Sequence, residues 1–175
     1  HEQLKAYVTQ YAKADDAGEA LWQLAIGSEF AGKDQEAKGW YTRLCEDFPK
    51  HDQADRARGS VARLNLPGNE IKLAAPLLAD PSRAFDIAQL RGKGVLAHYW
   101  ASFTNNYPEA FNRLKKILDE VGRKHGVELV SINLDDSADQ AKAALRNVNV
   151  PATHLYQAPS NNLGGGLNSS LATQY

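Results

Sequence analysis

Residues 104–107, Thr-Asn-Asn-Tyr, lie where a parallel α/β chain usually carries its chemistry. They follow an apolar run at residues 95–100 and precede a segment with helical periodicity. Ligands of such folds bind beyond the carboxyl ends of the strands, at strand-to-helix junctions of this kind. However, a threonine hydroxyl stays protonated at neutral pH, and an unperturbed tyrosine has a pKa of about 10. The four residues therefore offer hydrogen bonds, and none of them is a ready nucleophile.

The other reactive residue types do not form a second site. Cys45 is the single cysteine, which excludes an internal disulfide and any Cys-x-x-Cys motif within the chain. It falls on a helical pattern without a basic cluster beside it, so we expect a small buried side chain rather than a reactive thiol. Asp135 and Asp136 follow the carboxyl end of a predicted strand, where catalytic carboxylates could lie, but we expect them to begin the loop and favour the next helix N-terminus. The histidines show no metal-ligand spacing, and we predict neither a metal nor a cofactor.

The composition limits the possible partners. The 175 residues are 43% hydrophobic and 23% charged, with a net charge of −1, which fits one or two globular domains. Without a dense stripe of Lys and Arg there is no electrostatic footprint for nucleic acid. No apolar run reaches the roughly 20 residues that a membrane-spanning helix needs. Contact with a membrane surface stays open.

The sequence divides near residues 65–70, Asn-Leu-Pro-Gly-Asn-Glu, and predicts a helical domain over residues 1–66. Apolar residues recur there at helical spacing in four stretches. Gly, Pro and Asp interrupt the pattern at residues 15–18, 31–34 and 48–52. Short connections of this kind make neighbouring helices antiparallel, so we expect helical hairpins packed side by side.

The central hairpin resembles a tetratricopeptide repeat. The resemblance implies a concave surface for a peptide or a partner protein. Ser28 departs from the pattern, which usually has a large aromatic residue there, and a generic helical bundle remains the alternative. The matching positions are Leu21, Leu24, Ala25, Gly32, Ala37, Tyr41 and Pro49.

Residues 67–175 predict an α/β domain. Strands are expected at 95–100, 127–134 and 152–157, because these runs are apolar and bounded by turn residues. A helix with one apolar stripe, including Ile117 and Val121, is expected between the first two strands, with Gly126 after it in the left-handed conformation. A second helix over 137–148 begins at Ser137 as its cap. Residues 158–170 predict a mobile loop, and the uncovered sheet edge leads us to expect that the domain continues beyond Tyr175.

The motifs around the Thr-Asn-Asn-Tyr corner resemble a known family. "LRGKGVL" at 90–96, "YWASF" at 99–103 and "GVELVSINLDDS" at 126–137 are similar to the thioredoxin-like domain of extracytoplasmic thiol-disulfide oxidoreductases, in the redoxin and thiol-specific antioxidant superfamily. The resemblance implies a thioredoxin-like fold, a mixed sheet with flanking helices whose C-terminal part is missing. It also implies a periplasmic or membrane-tethered location.

The sequence departs from this family where the family does its chemistry. Thr104 and Tyr107 occupy the two cysteine positions of the Trp-Cys-x-x-Cys motif, and Phe103 stands in the tryptophan position. Disulfide exchange requires a thiolate and a resolving thiol, which neither residue supplies. Peroxiredoxins have Thr-x-x-Cys-Pro at this corner, and here Thr104 and Pro108 remain while Tyr107 replaces the cysteine. Because only sulfur forms the sulfenic acid of the peroxidatic step, no catalytic residue is intact.

The corner residues therefore have two possible roles. Asn106, Pro108 and Glu109 suit a helix start, in which the Asn106 side chain accepts first-turn amides and Glu109 completes a capping box. Alternatively, the corner is a recognition groove for an extended peptide. Its residues would be Trp100, Phe103, Thr104, Asn105, Asn106 and Tyr107.

Three hypotheses for function follow from these roles. The first is a redox-inactive module that binds a protein or peptide. The second is a thiol-disulfide oxidoreductase, or a peroxidase, whose reactive cysteines lie outside these 175 residues, so the question of enzymatic activity stays open. The third is a purely structural domain that displays the helical repeat.

Overall fold

The chain divides into two units. The computed structural model describes residues 1–159 and 165–175. One unit comprises His1–Glu70 together with Thr173–Tyr175, and the other comprises Ile71–Ala172. The first is helical throughout its secondary structure, whereas the second contains all the described strands.

The helical unit has its helices where the apolar periodicity predicts them. These are α1 (Glu2–Gln10), α2 (Ala17–Phe30), α3 (Asp34–Asp47) and α4 (Ala54–Leu64). Gly32, between α2 and α3, has a φ of 69°, which a residue without a Cβ adopts at little cost. Ser28 is fully buried, and its Oγ lies 3.3 Å from Nε2 of His1. The core contains Leu21, Leu24, Ala25, Ala37, Tyr41 and Leu44. The tetratricopeptide assignment stays a prediction.

The second unit is built on a parallel sheet. Its strands β3 (Gly94–Trp100), β4 (Val127–Asn133) and β5 (Thr153–Tyr156) are paired in the order β3-β4-β5. All three lie within or close to the predicted runs. Two short strands that the sequence analysis did not predict, β1 (Ala74–Pro76) and β2 (Ala84–Asp86), form an antiparallel pair before them. A 3-10 helix, Ile87–Leu90, follows β2.

Helices connect the parallel strands, as predicted. Helix α5 (Tyr107–Ile117) lies between β3 and β4, and α7 (Ala138–Leu145) lies between β4 and β5. A π-helical turn, Leu118–Gly122, and a short helix α6 (Arg123–His125) complete the first connection. Gly126 has a φ of 64° and ends the helix in the left-handed conformation, as predicted. Ser137 caps α7 by accepting a hydrogen bond from the Asp139 amide at 3.2 Å.

The two faces of the sheet carry different cores because side chains alternate along a strand. Trp100, Leu129 and the α5 residue Phe111 belong to the core on one face. Val130, Ile132 and Leu155 belong to the core on the other face.

Two residues of the predicted α5 stripe lie outside the core. Ile117 is 45% exposed and Val121 is 42% exposed. The π-helical turn explains the error at Val121, since each hydrogen bond there spans one more residue and the chain rotates less per residue than in an α-helix. Val121 is thereby moved toward the flank of the helix. Ile117 already lies at the margin of the stripe.

The predicted loop over 158–170 is only partly described. Residues 160–164 lie outside the described residues, so the expected mobility is not addressed there. The remainder has local structure, because Gly166–Asn168 forms a 3-10 helix that precedes α8 (Ser170–Thr173). Among residues 1–159 and 165–175, no helix has the length and apolar character to cross a membrane.

Candidate functional site

The corner between β3 and α5 is a run of tight turns. Strand β3 ends at Trp100, and the Ala101 carbonyl accepts hydrogen bonds from the Thr104 amide at 3.2 Å and from its hydroxyl at 2.7 Å. The Thr104 carbonyl in turn accepts from the Tyr107 amide at 3.3 Å. Thr104 and Tyr107, at the two cysteine positions of the family motif, therefore lie on one turn at the start of α5.

The capping prediction for Asn106 is wrong in its detail. Asn106 is the N-cap residue of α5, but within the described part of the chain its side chain makes no capping hydrogen bond. Its φ of −98° and ψ of 0° differ from the extended conformation in which an N-cap side chain reaches the first-turn amides. In addition, Pro108 occupies the first turn and has no amide to donate. The Asn106 amide group is exposed and therefore available for other contacts.

A buried carboxylate ties the corner to the neighbouring strand. Oδ1 of Asp135, which follows β4, accepts hydrogen bonds from the Ser102 amide at 2.8 Å and from the Ser102 hydroxyl at 2.9 Å. Its Oδ2 accepts from the side-chain amide of Asn133 at 2.8 Å, and the Asp135 amide donates to Oδ1 of Asn133 at 3.0 Å. Asp135 is only 1% exposed. Both carboxylate oxygens are thus satisfied by neutral donors, which fixes the backbone just before Phe103.

Aromatic rings support the corner from beneath. The Trp100 ring packs edge-on against Phe111, with centroids 5.1 Å apart, and lies 5.5 Å from the ring of Tyr107. Trp100 is 4% exposed, so the structure places it in the core, behind the surface that we predicted as a groove. Tyr107 is half-buried. Both rings anchor the start of α5 on the sheet.

The remaining predicted site residues lie on the outside of the corner. Phe103 is 61% exposed, and Thr104, Asn105 and Asn106 are exposed beside it in the sequence. The result is a surface of one large apolar side chain and three small polar ones, which we call the corner surface (Phe103–Asn106). Its residues can donate and accept hydrogen bonds, but they contain no thiol.

The single thiol lies in the helical unit. Cys45 is half-buried on α3, and its Sγ is 3.6 Å from the Ala54 carbonyl, to which it donates. Burial raises the pKa of this thiol above its usual value, and the nearby carboxylates of Glu46 and Asp55 also raise it, against the guanidinium of Arg58. A raised pKa leaves less thiolate at neutral pH, as expected for a structural cysteine.

The helical unit has a cavity of its own, of about 330 Å³. It is lined by Ile26, Glu29, Phe30, Tyr41 and Arg63. The Tyr41 hydroxyl donates to the Glu29 carboxylate at 3.1 Å, and Arg63 pairs with the same carboxylate at 2.7 Å. Burial, followed by the Glu29 charge, raises the pKa of Tyr41 to about 12, so its hydroxyl stays protonated at neutral pH. Within the described residues, no group of three His, Cys, Asp or Glu side chains could hold a metal ion.

Sequence reasoning missed the Asp135 network. Asp135 and Asp136 were expected to start a loop and favour a helix N-terminus, but only Asp136 is exposed. Ser102 and Asp135 are 33 residues apart, so no local spacing signals their contact. The usable signal is the strand register, which pairs Trp100 with Asn133 and so brings the residues after β3 next to those after β4.

Comparison with known proteins identifies the fold of the second unit. No protein-family model matches the chain, and no curated protein matches it. A thiol-disulfide oxidoreductase from Bacteroides fragilis is similar in structure, with a TM-score of 0.50 and 20% identity, over 60% of this chain and 72% of that one. This likeness shows a thioredoxin-like fold, which confirms the predicted fold class. The helices α1–α4 of this chain confirm the predicted helical segment before it.

Two further structures match over a smaller part of the chain. One is a protein from Chlorobium tepidum assigned as a DsbE thiol:disulfide interchange protein, with a TM-score of 0.44 and 21% identity over 50% of this chain. The other is a secreted disulfide oxidoreductase from Mycobacterium tuberculosis, with a TM-score of 0.42 and 20% identity over 49% of this chain. The matches span 59% and 60% of the lengths of those two proteins.

Proposed function

We propose that the thioredoxin-like unit is a redox-inactive module that binds an extended peptide or a segment of a partner protein at the corner surface. The observation that supports this most is the exposure of Phe103 on a backbone that Asp135 holds in place. A large exposed aromatic residue beside small polar residues is a common composition of peptide-binding surfaces. We propose an extracytoplasmic location as well, on the family resemblance.

The rigid support of the corner favours binding. Ordering a loop on association costs free energy, and a loop that is already held in one conformation avoids that cost. Here the residue before Phe103 is fixed by two hydrogen bonds to Asp135, and Thr104 is fixed by two to the Ala101 carbonyl. The corner surface is therefore ordered before a partner arrives.

Disulfide exchange is not part of the proposal, because the chain lacks the sulfur that this reaction needs. Thr104 and Tyr107 have no thiol, and a single cysteine cannot form and resolve an internal disulfide. The fold alone does not supply activity, since function depends on the site and not on the scaffold.

Selection from a library of random peptides on the full chain tests the proposal. We expect selected peptides to shift the backbone amide resonances of residues 103–107 in ¹⁵N-labelled protein. Phe103→Ala should weaken their binding by about tenfold or more, because a central aromatic anchor typically contributes that much.

Phe30→Ala is the matched control, since Phe30 is also exposed but lines the cavity of the helical unit. It should leave the affinity unchanged. If the library yields no binder, or if Phe30→Ala weakens binding and Phe103→Ala does not, the corner surface is not the recognition site.

A further inference from the structure

A row of three polar side chains crosses the apolar sheet face beneath α5 and α7. His98 on β3 is in register with Ser131 on β4, and Ser131 is in register with His154 on β5. Four of the six residues two positions away along the chain belong to the apolar core of this face or pack against it, namely Leu96, Trp100, Leu129 and Ala152. The other two are Asn133, a buried amide bonded to Asp135, and Tyr156, which belongs to a neighbouring core cluster.

One aromatic ring covers both imidazoles. The Phe111 ring of α5 packs edge-on against His98, with centroids 5.2 Å apart, and lies 6.4 Å from the His154 ring. Both histidines are half-buried, and Ser131 between them is fully buried. Phe111 itself is 1% exposed, so α5 closes this part of the core.

Each residue of the row has one buried polar atom without a partner among the described residues. Nε2 of His98, Oγ of Ser131 and Nδ1 of His154 are buried, and none has a hydrogen-bond partner among the described residues. A buried polar group without a partner tolerates a charge poorly, because nothing replaces the lost hydration. The burial accordingly lowers the pKa of both imidazoles.

Charged side chains do occur on the elements around the row. Desolvation is nevertheless the one cause that lowers either pKa, and no charge in the described chain contributes. The charged residues on α5, on α7 and after β4 are Glu109, Arg113, Lys115, Lys116, Asp139, Lys142, Asp135 and Asp136. Among the described residues, no carboxylate therefore acts on His98 or His154 to compensate a proton there.

We propose that His98, Ser131 and His154 form an acid-sensitive packing surface for helix α5. The helix packs on the sheet, and holds the corner surface in place, while both imidazoles are neutral. Protonation of either one puts an uncompensated charge under Phe111, and the charge regains hydration when α5 moves away from the sheet. This inference goes beyond the proposed function, because it concerns the packing of the unit and needs no bound partner.

Aromatic contacts connect this acid-sensitive packing surface with the corner. Phe111 touches both imidazoles and also Trp100, and Trp100 touches Tyr107, the first residue of α5. A displacement of Phe111 therefore affects the rings that anchor the start of the helix.

The direction of the pH effect follows from linkage. Above the unperturbed histidine pKa of about 6.5, the imidazoles are neutral in both the folded and unfolded states. Below it, the unfolded chain binds protons that the folded state rejects, so stability falls as the pH falls. The folding equilibrium constant should decrease by up to about tenfold per pH unit for each imidazole. The decrease ends once the pH passes the lowered folded-state pKa values.

Two measurements on the full chain test the proposal. The histidine Cε1 resonances, followed by NMR from pH 8 to pH 4.5, should show His98 and His154 titrating below the unperturbed value of about 6.5. The amide resonances of residues 103–107 should move in the same pH range. Urea unfolding at several pH values should show the loss of stability.

His98→Leu with His154→Leu should flatten this pH dependence, and His125→Gln, at an exposed histidine, should leave it unchanged. If the double variant does not fold, the NMR titration of the native chain decides alone. Imidazoles that titrate at or above the unperturbed value, or corner amides that do not follow them, overturn the proposal.

Discussion

Removing the Asp135 carboxylate should loosen the corner and destabilise the thioredoxin-like unit. Asp135→Ala removes the acceptor of three hydrogen bonds, two from Ser102 and one from Asn133. Ser102 is half-buried, so water can replace part of its loss, whereas Asn133 is 3% exposed and its amide loses its partner outright. Each hydrogen bond to a charged group contributes about 1.5–3 kcal/mol. Because the substitution also removes the desolvation cost of the buried carboxylate, we expect the free energy of unfolding to fall by a net amount of about 3 kcal/mol.

Asp135→Asn tests the donor arrangement separately from the packing. The new amide keeps an acceptor for Ser102 but presents its NH₂ group to the NH₂ group of Asn133. If the side-chain amide of Asn133 rotates to present its oxygen to this NH₂ group, that oxygen no longer accepts from the backbone amide of residue 135. We therefore expect a loss of about 1–2 kcal/mol. Combining Asp135→Asn with Asn133→Asp restores one carboxylate and one amide in complementary positions and should recover about 1 kcal/mol or more.

The measurement is urea unfolding of the full chain followed by tryptophan fluorescence. Trp22→Phe and Trp40→Phe leave Trp100, which lies in the thioredoxin-like unit, as the single reporter. Asp136→Ala is the matched control, because that neighbouring carboxylate is exposed and should cost under about 0.5 kcal/mol. Equal losses for Asp135→Ala and Asp136→Ala would refute the reasoning, as would an exchanged pair no more stable than Asp135→Asn alone.

Two further predictions concern the lost motif and the backbone. The chain should not reduce insulin above a buffer control, whereas Thr104→Cys with Tyr107→Cys should close an internal disulfide, because the hydrogen bond between these residues marks a turn whose Cα atoms lie within about 7 Å. After oxidation, thiol titration should count Cys45 alone, and a count of three thiols would contradict the geometry. Gly126→Ala should destabilise the chain by about 1 kcal/mol, since its φ is 64°. Gly39→Ala, inside α3 with open space around it, should stabilise the chain by a similar amount. If urea unfolding gave the same change in unfolding free energy for Gly126→Ala and Gly39→Ala, the role of the positive φ would be contradicted.

Much of the fold could be predicted from the sequence because its signals are local. Gly32 and Gly126 mark helix ends that require a left-handed residue, and both have a positive φ. The apolar run before the corner predicts β3, and the periodicity after the corner predicts the helix that begins at Tyr107. These features depend on neighbours in the sequence, which a pattern can show.

The remainder depends on contacts between distant residues. The hydrogen bonds between Ser102 and Asp135 join residues 33 apart, and they arise from the pairing of β3 with β4. Strands β1 and β2 have three residues each, too few for a period to be recognised. The burial of Trp100 likewise follows from the position of Phe111 on α5, and not from its own place at a strand end.

The π-helical turn at Leu118–Gly122 accommodates one extra residue in the connection between β3 and β4. A wider turn holds one residue more than an α-helical turn of the same span, so the connection is equivalent to a regular helix with a single-residue insertion. The surplus is confined to the end of the helix that lies away from the corner, and Phe111 keeps its position over His98 and His154. Changes of chain length in this connection can therefore be accommodated near Gly122 without altering the register of the residues that begin α5.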